Sequence, residues 1–117
     1  MKYTKIWEVI LSKIKSYLGL CVKSGGVVIG QDRLKQNNKK IYLLVLSPTA
    51  TQNLKDLSFR LSEKFDCELV VTNTVLEDLI YKQGCKLVGI TNQSLAEAIL
   101  TQENEFIRLR SRNGKQQ

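Results

Sequence analysis

The segment Ile41-Tyr42-Leu43-Leu44-Val45-Leu46 is apolar at every position. A half-exposed strand alternates apolar and polar residues, and a surface helix spaces its apolar residues by three and four. This short unbroken run fits neither pattern. It fits a strand covered on both faces, which requires helical layers on each side of a sheet.

The flanking residues supply those layers. Ile6, Val9, Ile10, Ile14, Leu18 and Cys21 recur at helical spacing over residues 4–21, and Gly25-Gly26 stop the helix. Val27-Val28-Ile29 reads as a short strand ending at Gly30, followed by a short helix over 31–37. Pro48 closes the apolar strand, and Thr49 offers an N-cap for a helix over 50–65 striped by Leu54, Leu57, Leu61 and Phe65. Cys67–Val71 reads as a strand, 75–82 as a short helix, Leu87–Ile90 as a fourth strand and 94–106 as the last helix. Such alternation predicts an α/β fold around one sheet. Residues 1–107 are expected to form one domain, with 108–117 (RLRSRNGKQQ) a basic, flexible tail.

Composition excludes several classes of chemistry. The chain has 117 residues and no histidine, so Ser-His-Asp triads, Cys-His pairs and His-bearing metal sites are out of reach. Its three cysteines, at 21, 67 and 85, are widely spaced with no C-x-x-C, which predicts reduced, buried thiols. No paired-carboxylate constellation is present, so no enzyme, metal or cofactor is expected. Lys5 and Glu8 interrupt the apolar N-terminus, which therefore does not read as a secretory signal. No stretch approaches eighteen apolar residues, so a cytoplasmic monomer without a membrane span is expected.

The net charge of +7 is unevenly spread. Residues 1–40 carry nine Lys/Arg against two acids, residues 41–80 three against six, and residues 81–117 six against three. Basic ends around an acidic middle point to a polyanionic partner.

Three candidate sites follow. Gly25 and Gly30 have the spacing of a phosphate-loop skeleton, but Gln31 and Asp32 stand where its Lys and Ser/Thr belong. Cys85 lies between Lys82 and Lys86, a setting that favours a thiolate. The third is Gly30 followed by QDRLKQNNKK, a strand turning directly into a helix start that suits a phosphate. Arg33, Lys35, Lys39 and Lys40 crowd this turn, with Lys23 upstream.

The order of LGLCVKSGG (18–26), VVIGQDRL (27–34), IYLLVLS (41–47) and LVGITNQSLAEAI (87–99) resembles the ribosomal-protein superfamily of L-seven-Ae and L-thirty-e type, and within it the bacterial YlxQ-like branch. The resemblance spans roughly residues 10–100. It implies a three-layer α-β-α sandwich with a mixed four-stranded sheet, no enzymatic activity, and RNA as ligand, with the ribosome or another structured RNA as its setting. Members of that family that bind kink-turns do so through the turn after the first strand, assisted by a loop before the last strand. In the family this turn reads Gly, any residue, Asn, Glu, two more residues, then Lys. Gly30 keeps the glycine and Gln31 takes the variable place. Asp32, Arg33 and Gln36 stand where Asn, Glu and Lys are expected. The second loop corresponds to Lys82, Gln83, Gly84, Cys85 and Lys86 and is polar, where kink-turn readers place an apolar residue. Arg33 carries only donors and cannot accept from guanine N–H groups as a Glu does. These departures predict phosphate-dominated RNA binding rather than the reading of sheared G·A pairs. The alternative is a protein–protein adaptor working through the acidic 63–78 region.

Overall fold

The computed structural model describes residues 12–80 and 82–112. The expected helix over 4–21 therefore lies partly outside the described residues, as does the end of the expected tail. Within them, helix α1 (Lys13–Ser24) is capped by the Ser12 hydroxyl, which accepts from the Lys15 N–H. The Glu105 carboxylate also accepts from the Ser12 hydroxyl and the Lys13 amide, at 2.5 and 2.9 Å. Gly25 ends the helix in a left-handed conformation (φ 74°).

Strand β1 (Val27–Ile29), helix α2 (Gln31–Gln36), strand β2 (Leu43–Leu46) and helix α3 (Gln52–Phe65) follow. The chain continues with β3 (Glu68–Thr72), α4 (Leu76–Ile80), β4 (Leu87–Ile90), α5 (Gln93–Leu100), a 3₁₀ turn (Glu103–Glu105) and β5 (Phe106–Arg110). The sheet order is β1-β4-β2-β3-β5, with β2 and β3 parallel and the other pairs antiparallel. The expected central strand is central: every residue of β2 is buried, between β4 and β3.

The side chains of β2 alternate between two cores, which is why its sequence does not alternate. Leu43 and Val45 pack with Ile14, Leu18 and Cys21 of α1, Leu76 and Leu79 of α4, and Ala96 and Ile99 of α5. Leu44 and Leu46 pack on the other face with Leu34 of α2 and Leu61 of α3. This is the expected α/β arrangement with helices on both faces of a mixed sheet. Gly89 lets α2 approach: a Cβ there would sit 2.7 Å from the Leu34 side chain and 3.1 Å from that of Ile41. Leu34 is the one buried residue of α2, so this close contact seats the helix that follows Gly30.

Four expectations need correction. The sheet has five strands rather than four, because Phe106–Arg110 form an edge strand on β3. The last helix stops at Leu100 instead of running to 106, and residues 108–110 belong to the sheet rather than to a tail. Arg108 and Arg110 hold the new strand. The Arg108 guanidinium pairs with Glu68 at 2.8 Å, and Arg110 donates to the Ser62 hydroxyl and to the Ser62 and Cys67 carbonyls at the end of α3. The cap of α3 also moves, from Thr49 to Thr51, whose hydroxyl accepts from the Leu54 N–H. No described helix is long and apolar enough to cross a membrane.

Candidate nucleic-acid interface

At the C-terminal end of β1 the chain must turn sharply from strand into helix. Gly30 does this at φ 97°, ψ 149°. An added Cβ would meet nothing within 4 Å, so the demand for glycine is one of backbone alone. A side chain at this φ costs about 1–3 kcal/mol of strain. The Gly30 N–H donates to the Leu87 carbonyl (3.0 Å), and its own carbonyl accepts from Leu34 N–H (3.1 Å). The Gly30 amide is therefore not free for a phosphate. The turn also places Gln31, Asp32 and Arg33 at the start of α2.

Those side chains meet the second loop. Gly30, Gln31, Asp32 and Arg33 line an open pocket of about 360 Å³ together with Gly84 and Lys86, while Ile29, Leu54 and Leu87 give it an apolar side. The pocket thus combines a carboxylate, a guanidinium, an ammonium and an amide side chain beside apolar surface. Asp32 and Arg33 are both exposed.

The loop is fixed by a residue the sequence reading missed. Glu77, in the first turn of α4, accepts from the Lys86 ammonium at 3.0 Å and from the Gly84 N–H at 2.8 Å. Lys86 also donates to the Thr49 hydroxyl at 2.8 Å. The Lys86 hydrogen bond first, and the Gly84 N–H second, hold the Glu77 carboxyl below the usual glutamate range. A carboxyl lowered in the folded state stabilises it above the ordinary glutamate pKa, and that contribution fades as pH falls through the lowered value. The Gly84 amide resonance is accordingly expected to titrate with a midpoint below the ordinary glutamate value, and Glu77→Gln to abolish that titration. A midpoint at or above the ordinary value in an NMR titration would count against the clamp.

The structure divides the other expected site residues. Lys82 and Gln83 belong to the loop but do not line the pocket, and Lys35 and Gln36 sit exposed further along α2. Lys23, Lys39 and Lys40 lie elsewhere. Strands β1 and β2 both run antiparallel to β4 and so point the same way. Lys23 precedes β1 and Lys39-Lys40 precede β2, so all three stand at the end of the sheet opposite Gly30. The single basic site expected around the turn is really two groups.

The two weaker candidates also resolve. Gly25 and Gly30 bracket strand β1, so they form no continuous phosphate loop. Burial pushes the Cys85 thiol up, and Glu77 adds to this against the opposing pull of Lys82 and Lys86, which is opposite to the shift a reactive thiol needs. Cys21 and Cys67 are also buried free thiols, pushed up by burial to about 11 and about 12.

No family model matches the chain, and no curated protein does. A solved structure described as that of a protein with unknown function from Bacillus halodurans C is similar to it, with a TM-score of 0.66 at 20% identity. The similarity covers 76% of this chain and 94% of that one. It is a likeness of fold.

Proposed function

We propose that this chain is a non-enzymatic RNA-binding protein that contacts structured RNA through the Gly30 turn and the Lys82–Lys86 loop, as the L-seven-Ae and YlxQ resemblance implies. The observation that carries this reading is the meeting of that turn and that loop in one open pocket, although they lie far apart in sequence. Folding has brought together the two segments the resemblance singled out. The pocket is open and mixed in polarity, suited to a nucleotide and its phosphates. Arg33 presents donors to phosphate or to guanine O6 and N7. The adaptor alternative loses ground because Glu68 and Glu77, within its acidic region, are engaged by Arg108 and Lys86.

A kink-turn RNA, and a control with its sheared G·A pairs replaced by Watson–Crick pairs, test this reading. Each lost base-specific contact would cost about 1–3 kcal/mol at a site that reads those pairs. Both RNAs are expected to bind with similar affinity, and Arg33→Ala to weaken both alike while lowering the salt slope by about 1. Failure of the native protein to bind either RNA would overturn the reading. A strong preference for the kink-turn would show that Asp32 and Arg33 still read the paired guanines.

A further inference from the structure

The Gly30 pocket holds little of the uncompensated positive charge. Lys86 is paired with Glu77, which leaves Arg33 as the exposed cation lining the pocket. Free cations gather at the other end of the sheet. Lys23, in the last turn of α1, and Lys39, before β2, are exposed and have no ion-pair partner among the described residues. The exposed Lys40 places its ammonium 5.3 Å from the centre of the Tyr42 ring, a contact that positions the charge without neutralising it.

The backbone holds these lysines at one end. Tyr42 N–H donates to the Ile90 carbonyl, and Thr91 N–H donates to the Gly26 carbonyl, so the starts of β1 and β2 flank the end of β4. Nearby, the Lys64 ammonium donates to the Lys35 carbonyl at 3.2 Å, adding a fourth positive group between α3 and α2. Acids also stand at this end: Tyr42 shares a small pocket with Glu68 and Glu97, and Asp66 caps the end of α3, but Arg108 engages Glu68 and Glu97 accepts from Gln93 at 3.2 Å. Strands of four residues place the two ends about 13 Å apart. A phosphate contact at one end is therefore a different contact from one at the other.

We propose that the Lys23, Lys39 and Lys40 end is a second RNA-contacting surface, which grips phosphates while the Gly30 pocket takes the structured element. The domain then holds RNA at both ends of its sheet. This inference rests on the RNA reading of the pocket. Lysine is suited to the task, since an ammonium on a flexible stem recognises phosphate as a point charge without reading bases.

Two probes test it: a short RNA hairpin carrying an asymmetric internal loop, and the same hairpin extended by a second helical arm. The native protein is expected to bind the extended RNA about tenfold more tightly, through added phosphate contacts. The triple variant Lys23→Gln, Lys39→Gln, Lys40→Gln should lose that gain and reduce the log–log salt slope by about 2–3, while binding the short hairpin as before. Its fold is checked by an unchanged melting temperature. A gain that survives in the triple variant overturns the second surface. Equal weakening of both RNAs also overturns it, because one site would then hold all the charge. If the native protein binds neither RNA, the pocket reading fails and this inference fails with it. If it binds the hairpin but gains nothing from the extension, the second surface alone fails.

Discussion

Leu44→Asp is expected to destabilise the fold by about 3 kcal/mol or more, because it buries a charge with no partner in reach. Leu44 is fully buried in β2, paired with Leu69 of β3 on one side and Gly89 of β4 on the other. Its side chain packs in the core with Leu34, Ile41, Leu46 and Leu61, none of which offers a donor. The carboxylate would have to take up a proton or open the core to water. Against a typical domain stability of 5–15 kcal/mol, either outcome consumes a large share of the total. The denaturation midpoint measures the loss. Should the Asp variant fail to fold, Leu44→Ala keeps the test quantitative, with an expected cost of about 2–5 kcal/mol for a truncated core leucine. A midpoint unchanged by Leu44→Ala would mean that β2 is not the covered central strand.

The strand that carries this prediction was legible because burial on both faces leaves a mark in one dimension. Leu43, Val45, Leu44 and Leu46 serve two different cores, so none of them needs to be polar. β4 was legible for the same reason, and its limits, Leu87 to Ile90, match the sequence reading. β5 was not. In Phe106-Ile107-Arg108-Leu109-Arg110 the arginines look like tail residues until their partners are known. Those partners, Glu68 and the carbonyls at the end of α3, come from distant parts of the chain. An edge strand stabilised by side-chain contacts to other elements has little local signature.

The site divides along the same line. The Gly30 turn was readable because a strand-to-helix corner at positive φ selects glycine locally. Glu77 was not, because its role depends on α4 and the Lys82–Lys86 loop folding against each other. In sequence it was simply one more charge in an acidic region. The lysines misled for the opposite reason. Lys23, Arg33, Lys39 and Lys40 are close in sequence, but β1 carries the chain across the sheet to Gly30 and α2 returns it to the start of β2, which sends Arg33 to one end and the lysines to the other. Proximity along the chain had been taken for proximity in space.

Raising salt from about 50 to about 200 mM is expected to weaken RNA binding by about 60-fold. The figure follows from four exposed cations, Lys23, Lys39, Lys40 and Arg33, each adding about 0.7–0.9 to the slope on meeting a phosphate. Four such contacts give a log–log slope near −3. Lys86 is left out because Glu77 already neutralises it, so its contact with RNA would release little. If the Gly30 pocket alone bound RNA, Arg33 would be the exposed cation engaged, and the slope would fall to about −1. Fluorescence anisotropy with a labelled RNA across a series of salt concentrations separates the cases. A slope near −3 requires cations from both ends of the sheet. A flat line would mean that the positive charge of this chain does not meet RNA, and would redirect attention to a partner held by shape rather than by charge.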